Sequence, residues 1–171
     1  MGAHTRNWER QVTFDRPANT TQYADGDGVA DDATTPTAAT FKINGVAPSQ
    51  GFGGHITDLV LHKSDQDQTG ADFSVYFFNE APAVTGFNDN AAIAITDAEF
   101  LTCQNFVALT ASADAENVVT GDIYGKSNLD ISYQCAPDDE NTALYVVIVA
   151  RGTYTPASGE TFTLTVKGRV N

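Results

Sequence analysis

Apolar and polar residues alternate along several short stretches of the chain, and this period of two is typical of β-strands with one solvent-facing side. The alternation is strict in 161–167, where polar residues separate Phe162, Leu164 and Val166. The run 144–150 is instead apolar at every position and, at seven residues, too short for an ordinary helix. It predicts a central strand that is buried on both faces.

Similar runs of β-branched and aromatic residues recur between clusters of Gly, Pro, Asn and Asp, and helical periodicity is almost absent. The pattern predicts strands at 11–14, 40–43, 55–62, 73–78, 91–95, 106–109, 118–124, 127–134, 144–150 and 161–167. A single helical turn is expected at 97–101. These elements predict an all-β fold, a single β-sandwich with jelly-roll topology, although the strand order does not follow from the sequence.

The length of 171 residues suits one domain, so we expect residues 17–171 to form a single β-sandwich domain. Within it, residues at about 17–39 are predicted to form a long acidic loop, since they hold four aspartates and no basic residue. Residues 1–16 differ in charge: they carry a net charge of +1, whereas the rest of the chain carries about −14. We predict that they form an extended N-terminal arm.

The arm contains the candidate interface residues. Arg6, Trp8 and Arg10 are two positions apart, so an extended backbone points all three side chains to one side, with Glu9 on the other. Tryptophan and arginine are the residue types most often found at the energetic centres of protein interfaces. The alternative is a frayed terminus with no partner.

Charge and composition narrow the choice of partners. Nine Lys and Arg against 22 Asp and Glu give a formal net charge of −13, which disfavours binding to nucleic acid or to an anionic membrane. We find no apolar run that predicts a membrane helix or a signal peptide, and therefore expect folding in a cytosol. Cys103 and Cys135 are the only cysteines and are predicted to be free thiols.

The segment 25–32 places aspartates around glycines, as calcium loops do. With Gly28 at position six of such a loop, Tyr23 and Thr34 take the first and last ligand positions, where neither supplies a carboxylate. The segment is therefore predicted to be a solvated turn, and no metal or other cofactor is expected. No catalytic sequence signature is present, so we predict no catalytic residues and no enzyme activity.

Several segments resemble the small jelly-roll decoration, or cement, proteins that coat the capsids of tailed bacteriophages. The resemblance is spread over most of the chain and is carried by 23–27, 56–61, 73–78 with Pro82, 88–92, and 144–145 leading to 153–156. It implies a structural virion protein that decorates and stabilises a phage capsid by binding over junctions between major capsid subunits.

The same resemblance implies the major capsid protein as partner, a homo-oligomer (dimer or trimer), and a place on the outer surface of a capsid assembled in the host cytoplasm. A second function stays open at this point: jelly rolls also serve as carbohydrate-binding or host-adhesion modules, and a fold does not determine a function.

Overall fold

The computed structural model describes residues 6–36, 42–65, 71–82, 87–93, 96, 101–118 and 121–170. Strands and one short helix follow along these residues in the order β1 (Arg6–Asp15), β2 (Gly28–Val29), β3 (Lys42–Ile43), β4 (Gly53–Lys63), β5 (Asp72–Phe78), β6 (Cys103–Leu109), α1 (Ala111–Asp114), β7 (Ala115–Val118), β8 (Gly121–Lys126), β9 (Ile131–Gln134), β10 (Leu144–Arg151) and β11 (Thr161–Val170). The helical turn predicted at 97–101 lies outside the described residues except for its last residue.

The strands form two antiparallel sheets. The six-stranded sheet has the order β1-β11-β4-β8-β7, and β9 pairs with β4 beyond the end of β8. The five-stranded sheet has the order β2-β10-β5-β6, and β3 pairs with the same edge of β10 as β2. The predicted all-β sandwich is confirmed.

The strand pairing is that of a jelly roll. If β2 and β3 count as one strand, β8 and β9 as another, and β7 is set aside as a hairpin partner of β8, eight strands remain. The first then pairs with the eighth, the second with the seventh, the third with the sixth and the fourth with the fifth. This nested antiparallel pairing, distributed over two sheets, produces the two Greek keys of the jelly-roll fold.

The main core lies between the sheets and is rich in aromatic rings. Phe73 lies at its centre and makes edge-to-face contacts with Tyr124, Tyr154 and Phe162 at centroid distances of 5.3 to 5.8 Å. β10 is buried on both faces, as predicted. Its residues Val146 and Ile148 belong to the main core, whereas Val147 and Val149 join a second cluster with Phe78 and Phe87 on the outer face of the five-stranded sheet.

Several elements differ from the sequence prediction, among them the strand predicted at 91–95, whose described residues 91–93 form only an isolated bridge at Ala92. Residues 6–15 are paired along their whole length with β11, so they form the first strand of the jelly roll and not a free arm. The reason is that Trp8, Val12 and Phe14 alternate on one face and are buried in the core. The strand predicted at 118–124 is instead divided between β7 and β8, which pair as a hairpin. No helix in the described part of the chain is long and apolar enough to cross a membrane.

Candidate functional site

Arg6, Trp8 and Arg10 lie on one face of β1, as their spacing predicts, but this face is turned towards the core. Trp8 is only 6% exposed, and its indole Nε1 donates a hydrogen bond to the hydroxyl of Tyr133 at 3.0 Å. The guanidinium of Arg10 donates to the carbonyl oxygens of Asn44 and Gly45 at 2.9 and 3.1 Å.

Arg6 is therefore the member of the trio that remains exposed at the start of β1. The alternation of Trp8, Val12 and Phe14 was the available sequence signal for this orientation, because three apolar residues at even positions indicate one buried face. The interface role predicted for the trio is not tested by these contacts and stays a prediction.

In the aspartate-rich segment 25–32, carboxylates accept hydrogen bonds from nearby backbone N–H groups and so stabilise the turns of the segment. Asp27 accepts a hydrogen bond from the backbone N–H of Ala24 at 2.7 Å. Asp32 accepts from the N–H groups of Thr34 and Thr35 at 2.8 and 3.0 Å, and these bonds hold the pKa of Asp32 below its usual value. Among the residues that the structure describes, no group of three or more His, Cys, Asp or Glu side chains could hold a metal ion.

One surface region contains the residue types of a hydrolytic triad. His55 lies directly opposite Ser132 in the pairing of β4 with β9, and its Nδ1 is 2.8 Å from a carboxylate oxygen of Asp130. The described contacts include no hydrogen bond between Ser132 and His55, and the mostly exposed Asp130 also pairs with Arg169 at 3.4 Å. A working triad needs the serine within hydrogen-bond reach of the histidine, so this group is better explained as a surface ion network.

The outer face of the five-stranded sheet carries an aromatic patch, which we define as Tyr76, Phe106 and Arg151. Tyr76 on β5 and Phe106 on the edge strand β6 lie opposite each other and stack, with ring centroids 5.4 Å apart and an interplanar angle of 25°. Arg151 on β10 donates from Nη2 to the hydroxyl of Tyr76 at 2.5 Å and from Nε to Ser74 Oγ at 3.2 Å.

Among the described residues on this sheet face, those of the patch differ from their neighbours in how well they are covered. Beside it, Phe87 packs on Phe78 with ring centroids 6.3 Å apart and helps to bury that residue completely. Phe106 has no such cover and is 53% exposed. Alternation along a strand at 73–78 places Tyr76 and Phe78 on one face, but the sequence does not indicate Phe106, whose position depends on the register between β5 and β6.

No protein-family model and no curated protein matches the chain. Among solved structures, the cyanophage Pam1 capsid asymmetric unit is similar with a TM-score of 0.34 and 11% identity, covering 100% of this chain and 89% of that one. The native virion of Kashmir bee virus at neutral pH is similar with a TM-score of 0.31 and 8% identity, covering 95% and 71%. Similarity at this level carries no argument about function, and the jelly-roll assignment rests on the strand pairing.

Proposed function

We propose that the protein is a structural virion protein that decorates and stabilises a phage capsid by binding over junctions between major capsid subunits. The observation that carries this proposal is the aromatic patch of Tyr76, Phe106 and Arg151. It lies on a sheet face where Phe106 is 53% exposed, and an exposed aromatic ring on such a face suits a protein surface better than a small substrate, because small-molecule sites are concave. The resemblance of the sequence to capsid decoration proteins supports the choice of partner.

The patch is built to bind with little loss of conformational freedom. The ring of Phe106 is stacked on Tyr76, and the ring of Tyr76 is in turn held by the guanidinium of Arg151. Side chains that are already ordered before binding lose less entropy on association. Tyrosine and arginine are also enriched among the residues that dominate binding energies. A complementary partner surface offers an apolar centre for Phe106 and an acidic or carbonyl oxygen near Arg151.

The remaining features of the proposal concern assembly. A protein that covers junctions between subunits acts from the outer surface of the capsid, and a dimer or trimer of the chain matches the symmetry of such junctions. Arg6 is exposed and available for contact, whereas Trp8 and Arg10 are engaged within the chain. Trp8 and Arg10 therefore contribute to an interface indirectly, because they hold β1 in place.

Binding to capsids assembled from the major capsid protein alone tests the proposal. Phe106→Ala is expected to weaken binding at least tenfold, because loss of a central aromatic contact costs about 2 kcal/mol or more. The matched control is Ile123→Ala, which removes an exposed apolar side chain from the other sheet and should leave binding unchanged. Equal binding by the wild type and Phe106→Ala, with both proteins folded, would exclude the patch as the attachment site.

A carbohydrate-binding or adhesion role is the second candidate, and the same patch favours it, since an exposed ring beside hydroxyl and guanidinium groups can also hold a sugar. A glycan array and the capsid-binding assay separate the two functions. A capsid decoration protein binds the assembled capsid and no glycan. Retention of glycans by the wild type but not by Phe106→Ala, without capsid binding, would replace the capsid proposal with the carbohydrate one.

A further inference from the structure

Three ionisable side chains meet inside one end of the sandwich without contact with solvent. Lys63 ends β4, Asp122 lies near the start of β8, and Glu160 immediately precedes β11. The ammonium Nζ of Lys63 lies 3.1 Å from Asp122 Oδ2 and 3.3 Å from Glu160 Oε1. The relative exposure of all three side chains is 0%.

The charges in this cluster do not balance, because one ammonium group faces two carboxylates. Backbone groups of Asp65 add two uncharged contacts: Lys63 Nζ donates to the carbonyl oxygen of Asp65 at 2.8 Å, and the N–H of Asp65 donates to Glu160 Oε1 at 3.3 Å. A buried charge without a counter-ion is very costly, and proteins usually avoid it by a change of protonation.

A second buried cluster contains equal numbers of positively and negatively charged side chains. Arg16 and Asp89, also at 0% side-chain exposure, form a one-to-one ion pair at 3.0 Å. Asp89 accepts further hydrogen bonds from the hydroxyl of Tyr23 and from the N–H of Ala30, and Arg16 also donates to Tyr23 and Asn19. This pair is electrically neutral, and although burial raises the pKa of Asp89 as well, its contacts with Tyr23, Arg16 and the N–H of Ala30 oppose that rise.

We infer that the folded protein binds one proton in the Lys63–Asp122–Glu160 cluster and holds it on Glu160. The cluster therefore stabilises the fold more in acid than at neutral pH. This inference is independent of the function proposed above. Glu160 is chosen because its second oxygen, Oε2, is buried and has no hydrogen-bond partner among the described residues. Burial raises the pKa of Glu160, in the direction that the inference requires.

Charged and titratable groups from every neighbouring element act on Glu160. Lys63 favours its ionised form, whereas the negative charge of Asp65 opposes ionisation. Tyr154 packs against both clusters, with Lys63 Nζ 5.7 Å from its ring centroid, and burial keeps its hydroxyl neutral by raising its pKa. Among the described residues, further charged or titratable groups around this end of the core are Asp122, Arg16, Tyr23 and Asp89.

The sign of the pH effect follows from the direction of the shift. A carboxyl group with a raised folded pKa is protonated in the native state at pH values where the unfolded chain has already released its proton. Stability is therefore greatest below the ordinary pKa of glutamate and falls as the pH rises towards the folded pKa of Glu160. Between the pKa of Glu160 in the unfolded chain and its pKa in the folded protein, the native state holds one proton more than the unfolded state. The folding equilibrium constant then falls by up to tenfold for each unit rise in pH.

Glu160→Gln tests the inference because glutamine has the shape of protonated glutamate and cannot ionise. Urea unfolding of the full chain is measured from pH 4 to pH 8. The variant should match the wild type at the acid end and exceed its stability at the neutral end, with a folding equilibrium constant at least tenfold higher at pH 8. Equal pH slopes for the two proteins, or a variant that is less stable at every pH, would overturn the inference.

The carboxyl carbon chemical shifts of the six glutamates give a direct readout in the native state. One resonance is expected to titrate well above the others and to be absent from Glu160→Gln. Asp89→Asn is the matched control, because it removes a buried carboxylate from the balanced cluster. It should destabilise the protein without removing the high-titrating glutamate resonance. Loss of the pH slope in Asp89→Asn but not in Glu160→Gln would place the proton on Asp89 and refute its assignment to Glu160.

Discussion

Trp8 and Tyr133 are 125 residues apart in sequence, and the indole Nε1 of the first donates to the hydroxyl of the second at 3.0 Å. Their rings meet edge to face at a centroid distance of 5.9 Å. The Tyr133 hydroxyl in turn donates to the carbonyl oxygen of Val46. This chain of contacts joins β1 to β9 and to the segment after β3, and it makes the only tryptophan a reporter of the docking of β1.

Tyr133→Phe removes the hydroxyl from the centre of this chain. The indole N–H and the carbonyl oxygen of Val46 then both lose a buried partner, so we expect the free energy of unfolding to fall by about 1–3 kcal/mol. Urea unfolding followed by Trp8 fluorescence measures the loss. Tyr145→Phe, which removes a hydroxyl from a half-buried ring on the outer sheet face, should cost under about 0.5 kcal/mol. Equal losses would show that the Tyr133 hydroxyl has no structural role.

Deletion of residues 1–10 removes Trp8 and half of β1. Because β1 pairs with β11 along its whole length, the deletion leaves β11 without a partner from Val166 to Val170 and opens the core beside Tyr133. We expect a fall in melting temperature of more than about 10 °C, since loss of a buried tryptophan alone costs about 3–5 kcal/mol. An unchanged melting temperature would instead support the expectation from sequence, that these residues form an arm outside the domain.

β1 shows why the strands could largely be predicted and the terminus could not. Alternating apolar residues indicate a strand wherever one face is buried, as in β11. In β1, the charged residues Arg6, Glu9 and Arg10 lie on both sides of the apolar Trp8 in the sequence. They interrupt the alternation of apolar and polar residues at the start of the strand. Local sequence shows that Arg6, Trp8 and Arg10 share a face. Which way that face points is decided by pairing with β11, about 155 residues away.

The two candidate sites depend still more on distant contacts. Lys63, Asp122 and Glu160 have the sequence environment of ordinary surface charges, and their burial follows only when three separate strands converge. Phe106 is likewise one of ten phenylalanines, and its stacking on Tyr76 requires the pairing register of β5 with β6. Tertiary pairing, which a single sequence does not display, decides both sites.

Leu164 and Thr163 compare the two faces of β11. Leu164 is buried in the core, whereas Thr163 lies on the outer face, where its hydroxyl is 3.1 Å from that of Thr13. Leu164→Ala should cost about 2–5 kcal/mol of unfolding free energy, and Thr163→Ala under about 1 kcal/mol. Chemical denaturation of both variants checks the orientation of the strand, and equal costs would mean that its register differs from the one described.

Cys103 and Cys135 are free in the structure and should differ in reactivity. Burial raises the pKa of the Cys135 thiol to about 11, so almost no reactive thiolate is present at pH 8. Cys103 is only half-buried. We expect a thiol reagent to modify Cys103 first and Cys135 only after denaturation, as read by mass spectrometry, and a reductant to leave the melting temperature unchanged. A fall of more than about 10 °C on reduction would reveal a structural disulfide.

Lys63→Met tests how much the buried ammonium contributes to folding. The substitution keeps most of the volume of the side chain but leaves Asp122 and Glu160 facing each other without a cation. Removal of one partner from a buried ion pair typically costs about 3–5 kcal/mol, and we expect a loss of this size at pH 7 in urea unfolding. Lys126→Met is the control, since Lys126 pairs with Asp114 at 3.2 Å but is 37% exposed, and it should cost under about 1 kcal/mol. Similar losses for the two variants at pH 7 would mean that solvent reaches the Lys63 cluster and screens its charges.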